Sequence, residues 1–376
     1  MQEVKSGAAG AIELAVNAGR ARAQAFCGRL GIEKPFLSAP MEGVAGVDLV
    51  AAVSEAGGLG VLPVGEMTPE EVAAAAAAVR AKTTKPFAFQ IRIPPKGGRD
   101  PEALHQLADG LSAVFEDLGL PAPLSKEGRE RYDFTLDRAA ARFEAQFAAV
   151  LAARPAAVLS TSGGFREPEA EALFDARIVN IGTATTLREA KVLRAAKVDA
   201  VVLQGSEAGG PRANFEDRDD VMTGLNALVP AAAKATRLPV VAAGGVCGPE
   251  QALGLVLAGA SAVMCGTALT GAAESLATPY ARRAFVWADA AALTTTRLYT
   301  GRLVRCLRSP LLDALADYEA VLPAWPLPEV LMRPLTEAAR RAGREELEAV
   351  FLGQSVGRSA YRTASEAVER ITALIA

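Results

Sequence analysis

The chain has 376 residues, of which 51% are hydrophobic and 22% charged, and a formal net charge of −3. That balance is globular and carries no basic footprint for nucleic acid. No run approaches the ~18 uninterrupted apolar residues of a membrane span, and the single histidine, His105, excludes a metal site built on two.

The N-terminus sets Glu3, Lys5 and Glu13 among alanines, without the charged start, apolar core and cleavage site of a signal peptide. Short apolar runs then alternate with helix-length segments. The strands read as Phe36–Ala39, Gly58–Leu62, Phe87–Ile93, Ala156–Ser160, Ile178–Ile181, Ala200–Gln204, Val240–Ala243 and Ala262–Cys265. Between them lie amphipathic or Ala-rich stretches such as Thr68–Thr83, Thr186–Ala196 and Gly248–Ala258. Thr68-Pro69-Glu70-Glu71 is a helix start, with Thr capping, Pro at the first position and acids following. Eight such βα units predict a TIM (β/α)8 barrel, and an open doubly wound sheet is the alternative.

Two segments break the alternation. Residues 94–149 begin Pro94-Pro95-Lys96-Gly97-Gly98 and turn charged and helical, which reads as a helical insertion capping one end of the barrel. Residues 309–376 contain Leu322-Pro323-Ala324-Trp325-Pro326-Leu327-Pro328 and then helical patterns, which reads as a C-terminal helical extension. The barrel itself is expected to occupy 1–93 and 150–308. Cys27, Cys247, Cys265 and Cys306 are dispersed, with no CxxC pair, as free thiols of a cytoplasmic protein would be.

Three strand ends carry Gly-rich turns: Gln204-Gly205-Ser206-Glu207-Ala208-Gly209-Gly210, Ala243-Gly244-Gly245, and Cys265-Gly266-Thr267. After the last two barrel strands, exposed backbone N–H groups at such turns form a phosphate site. Neither turn has GxGxxG spacing, so a monophosphate is favoured over a dinucleotide. Ala39-Pro40-Met41 can form an apolar floor or simply end a strand. Gln90 and Gln204 are polar within strand patterns, so their amides bond either to a ligand or to neighbouring backbone.

The order of Ala39-Pro40-Met41, Ala56-Gly57-Gly58-Leu59-Gly60, Gly182-Thr183-Ala184-Thr185-Thr186, Gln204–Gly210, Ala242-Ala243-Gly244-Gly245, Gly266-Thr267-Ala268 and Thr300-Gly301-Arg302 resembles the nitronate monooxygenase family. The resemblance runs from about Phe36 to Arg308, and Leu352-Gly353-Gln354 looks like the family's C-terminal Gly-Gln element. It implies a TIM barrel with a second, mostly helical domain, and FMN as cofactor. By position, Ala39, Pro40 and Met41 would line the isoalloxazine, and Gln204 and Gln90 would bond to the flavin. Gly209 and Gly210 would meet the ribityl or phosphate region, and Gly244, Gly245, Gly266 and Thr267 would hold the phosphate.

One residue departs from that pattern. The family motif Glu-Ala-Gly-Gly-His-Arg-Gly carries a histidine that is the general base for neutral nitroalkanes. Here the run is Glu207-Ala208-Gly209-Gly210-Pro211-Arg212-Ala213, and Pro211 can neither take nor give a proton. Loss of a general base costs about 10²–10⁴-fold. Arg212 would hold a substrate anion or be a solvated loop arginine, and Tyr299 would supply a proton or pack in the core. Cys247 reads as a packed thiol.

The leading expectation is an FMN-dependent oxidoreductase that oxidises a nitronate or similar carbanion with O2. The alternatives are an NAD(P)H-dependent FMN reductase of a quinone or enoyl substrate, a non-catalytic flavoprotein, and a cofactor-free phosphosugar barrel. A small molecule is the expected partner, with no nucleic acid and no membrane, and the oligomeric state is open.

Overall fold

The computed structural model describes residues 2–95, 101–122, 136–216, 220–358 and 361–376. All eight expected strands are present, within one to three residues of their sequence bounds. They are β1 Phe36–Ser38, β2 Gly60–Pro63, β3 Phe87–Arg92, β4 Ala157–Thr161, β5 Val179–Ala184 and β6 Ala200–Gln204, then β8 Val240–Ala243 and β9 Ala262–Cys265 after a short β7, Gly210–Pro211. Their order is β1-β9-β8-β6-β5-β4-β3-β2, every neighbour parallel. A single parallel bridge, Leu37 to Leu59, brings the two ends together. The sheet is a nearly closed TIM barrel.

Strand alternation sorts the side chains. Leu37, Val61, Leu159, Ile181, Val202, Val241 and Met264 fill the interior. Their neighbours Phe36, Leu203 and Val263 pack outward with helix residues, and so do Leu62, Phe89 and Val158. The expected start of helix Pro69–Lys82 is present as a reciprocal capping box between Thr68 and Glu71.

Four features go beyond the sequence reading. Helix Gln2–Leu30 ends by packing Phe26, Cys27 and Leu30 with the interior residues. Helix Leu136–Ala153 crosses the expected boundary at 149/150, and packs Phe143, Phe147 and Val150 with Val72, Val79 and Phe89 in the barrel's helical layer. Helix Pro101–Asp117 instead buries Leu107, Leu111 and Phe115 with Leu298, Leu311, Leu331 and Leu335, a core of its own shared with helix Leu327–Arg341. Helix Ala364–Thr372 returns to the barrel, where Val368 and Ile371 pack with Leu49 and Val53. Residues 309–376 therefore divide between a second lobe and the barrel's outer layer.

A small antiparallel sheet joins the two parts. It contains β10 Leu293–Thr296 and β11 Val304–Leu307, in the order β10-β11-β7, with Val304 opposite Pro211. Among the described residues no helix is long and apolar enough to cross a membrane.

Candidate active site

Gln204 is the last residue of β6, and the loop that follows folds back on its side chain. Gln204 Oε1 accepts from the Ala213 N–H (2.8 Å) and from Arg212 Nη1 (3.3 Å), while Nε2 donates to the Pro211 carbonyl (3.0 Å). Arg212 is buried. Its Nε donates to Asp220 Oδ2 (2.6 Å), and its Nη1 donates to the carbonyls of Gln204 (3.1 Å) and Gly205 (2.6 Å). Pro211 lies exposed on β7, opposite Val304 on β11.

The three Gly-rich turns meet beneath a segment from the far end of the chain. A Cβ on Gly209 would stand 2.5 Å from the Leu352 carbonyl carbon, so only glycine lets the two backbones touch. The Gln354 N–H donates to the Glu207 carbonyl (2.9 Å) and the Gly353 N–H to Thr267 Oγ1 (2.8 Å). Ser355 Oγ donates to the Gly245 carbonyl. Gly244 adopts φ +130° beside the Ala208 backbone. A Cβ on Gly266 would come 3.2 Å from both Ala39 Cβ and Met41 Sδ, which ties the end of β1 to the end of β9. Ala39, Pro40, Met41, Gly244, Gly245, Gly266 and Thr267 remain half-exposed.

The opposite rim is ionic. Gln90, buried on β3, donates from Nε2 to Thr161 Oγ1 (2.9 Å) at the end of β4. Two residues on, Arg92 pairs with Glu42 (2.6 Å) beyond β1 and with Glu329 (3.0 Å) on helix Leu327–Arg341. Arg333 pairs with Glu42 (3.2 Å), Glu66 (3.5 Å) and Glu329. Burial alone would raise the Glu329 carboxyl, but Arg92 and Arg333 outweigh it and hold it below its ordinary value. The indole of Trp325 faces two guanidiniums, Arg302 at 4.1 Å and Arg92 at 6.0 Å. Gln90 is among the residues expected here, and Arg302 and Trp325 stand in segments noted in the sequence, but Glu42, Glu66, Arg92, Glu329 and Arg333 were not singled out. Their partners lie far apart along the chain, and a polar residue ending a strand is the only local signal.

Tyr299, Cys247 and His105 are not among the half-exposed residues of the mouth. Tyr299 is buried in the second lobe's core, edge-on to Phe351, with ring centroids 5.7 Å apart. Its hydroxyl lies near Ser309 without a hydrogen bond of good geometry, and burial pushes its pKa up. Cys247 is a buried thiol that donates to Gln251 Oε1 (3.1 Å). His105 is exposed on helix Pro101–Asp117. No group of His, Cys, Asp and Glu fit to hold a metal occurs among the described residues.

The mouth thus has an apolar floor, a glycine-lined cradle and one half-exposed amide. That composition fits a planar ring carrying a phosphate tail, since a Cβ at Gly244 would press on the Ala208 backbone and one at Gly266 on Ala39 and Met41, so both turns stay bare of side chains. Barrel and mouth together define a (β/α)8 protein with its candidate site at the carboxyl ends of the strands.

The comparisons narrow the class. The family model described as nitronate monooxygenase matches residues 24–373, and the chain belongs to that family. It is 34% identical to the nitronate monooxygenase of Pseudomonas aeruginosa over 343 residues, 91% of this chain and 96% of that protein. It is 33% identical to that of Paraburkholderia phytofirmans, covering 91% and 92% of the two chains. The solved structure of nitroalkane oxidase from Streptomyces ansochromogenes superposes with a TM-score of 0.83 at 30% identity, covering 92% of this chain and 96% of that one. FabK from Thermotoga maritima shares the fold, with a TM-score of 0.69 at 24% identity over 92% of this chain and 94% of that one.

Proposed function

We propose that this protein is an FMN-dependent oxidoreductase that takes its substrate already as an anion, a nitronate or similarly stabilised carbanion, with O2 as co-substrate. The observation that carries this reading is Pro211 at the rim of the Gly-rich cradle, where the family motif has its basic histidine. A bound FMN would take electrons from the carbanion and pass them to O2.

In this reading Gly244, Gly245, Gly266 and Thr267 hold the phosphate, and Gly209 and Gly210 lie along the ribityl chain. Ala39, Pro40 and Met41 support one face of the ring, while Gln90 and Gln204 bond to its edge. Arg212 is assigned to the loop rather than to the substrate, because its nitrogens are spent on Asp220, Gln204 and Gly205. Tyr299 is assigned to packing. No side chain at position 211 removes a proton from carbon, so a neutral nitroalkane is a poor substrate. Buried free thiols throughout suit a cytoplasmic setting.

Oxygen uptake by the FMN-loaded protein with propionate 3-nitronate tests the reading, and absence of turnover would remove it. A second reading, an NAD(P)H-dependent reductase of a quinone or enoyl substrate, draws on the same residue, since a reduction needs no carbon base. Anaerobic mixing separates the two. Bleaching of the flavin by NADH or NADPH but not by the nitronate would favour the reductase.

A further inference from the structure

We propose that the buried Arg212–Asp220 pair is a positioning device that fixes the polarity of Gln204, so that the barrel mouth is offered an N–H donor and never an acceptor. The inference rests on the flavin reading above and goes beyond it in assigning Arg212 and Asp220.

The hydrogen-bonding capacity of the Gln204 amide can be counted. A primary amide has two acceptor sites on oxygen and two N–H donors. Both oxygen sites are taken, by the Ala213 N–H (2.8 Å) and Arg212 Nη1 (3.3 Å). One N–H is taken by the Pro211 carbonyl (3.0 Å). What is left for a ligand is one N–H.

The orientation is not interchangeable with its flip. A rotated amide would set its NH₂ against a backbone N–H and a guanidinium, both of which only donate. It would also set its oxygen against a carbonyl, which only accepts. The guanidinium adds to these two backbone contacts and, through the Gln204 and Gly205 carbonyls, holds the loop that supplies them, and Asp220 fixes the guanidinium. Nε meets Oδ2 at 2.6 Å and Nη2 meets Oδ1 at 3.4 Å. The Met222 N–H donates to Oδ1 from 2.8 Å and holds the carboxylate in turn. The side chains of the pair are 1% and 0% exposed. A buried ion pair is weak evidence for net stability. Here its geometry has a specific product, a half-exposed amide pinned at the point where β6 opens into the mouth.

The consequence is electronic. Reduction of a flavin places negative charge on its ring nitrogens and oxygens, and a fixed N–H donor stabilises that charge more than the oxidised ring. Gln204 therefore raises the reduction potential, and Arg212 and Asp220 act on the potential through it. A tenfold preference for the reduced form corresponds to about 30 mV for a two-electron couple.

The midpoint potential of bound FMN, measured by equilibrium reduction against a reference dye, tests this. Gln204→Leu should lower the potential by about 30 mV. Gln204→Glu, which turns the outward donor into an acceptor, should lower it further. Arg212→Lys keeps the charge but cannot span Asp220, Gln204 and Gly205, and should lower it by an amount similar to Gln204→Leu. The double variant should fall no further than either single one, because both act through one amide. If Arg212→Lys does not fold, Asp220→Asn takes its place in the same cycle. An unmoved potential in Gln204→Leu would overturn the proposal, as would shifts that add in the double variant. A wild-type protein with no absorbance near 450 nm after FMN loading would instead overturn the flavin reading itself.

Discussion

On the side of β6, β8 and β9 the barrel mouth is closed by backbone laid against backbone. Gly209 touches Leu352 and Gly353, Glu207 accepts from Gln354, and Thr267 accepts from Gly353. On the side of β1, β2 and β3 it is closed by ions, with Arg92 and Arg333 set among Glu42, Glu66 and Glu329. The first construction leaves no room for a side chain and is suited to gripping an anion with peptide N–H groups. The second sets two guanidiniums among three carboxylates and joins the second lobe to the barrel. One rim is therefore built from bare backbone, and the other from ion pairs that fit the lobes together.

The comparison can be broken most visibly at Pro211, on the backbone side. If a base is all that the mouth lacks, Pro211→His should raise turnover of a neutral nitroalkane by about 10²–10⁴-fold. Oxygen uptake with nitroethane measures this, and no gain would mean that the rim has diverged beyond one residue. Asp220→Ala strands the Arg212 charge and should cost about 3–5 kcal/mol in urea unfolding. Gly209→Val forces a side chain into the Leu352 backbone. FMN affinity by fluorescence titration should weaken about tenfold to hundredfold, and unchanged affinity would sever the link between this contact and the cofactor.

The ionic rim responds to pH instead. Glu329 is held below its ordinary value of 4.5 by Arg92 and Arg333. Its stabilising share is complete above that ordinary value and is lost as pH falls through the lower, folded-state value. Wild-type protein should therefore lose stability below about pH 4.5, and Glu329→Gln should lose part of that dependence, at a cost of about 1–3 kcal/mol near neutrality. Thermal melts from pH 3 to 7 would show it. The smallest effect is expected for Tyr299→Phe, which removes a buried hydroxyl without a good partner. Stability should change by less than about 1 kcal/mol, and kcat should stay within about twofold. A larger fall in kcat would return Tyr299 to the list of proton donors.

How far these features were legible depends on the range of the interaction. The eight strands were readable because each is a buried apolar run bounded by Gly, Pro or a helix cap. Helix Gln2–Leu30 was not, since Ile12 and Leu14 on it are exposed and its anchoring face joins Phe26, Cys27 and Leu30 to the small residues Gly19 and Ala23, which give little apolar signal. The β10–β11 pair was missed because Thr294 and Thr295 carry no apolar alternation. The Gly-rich turns could be found from local chemistry alone. The contact of Arg92 with Glu329 could not, because it spans 237 residues. Arg212 was visible as a charge, but only the fold reveals that Asp220 seals it.

The return of helix Ala364–Thr372 to the barrel has a consequence for assembly. Its partner, helix Val47–Glu55, lies more than 300 residues upstream, and Gly209 waits in the same way for Leu352. Such high contact order makes closure slow, since a long loop must be ordered before the contacts repay it. On a translating ribosome the strands can pair early, but the Gly209 turn gains its cover only once the segment around Leu352 has emerged.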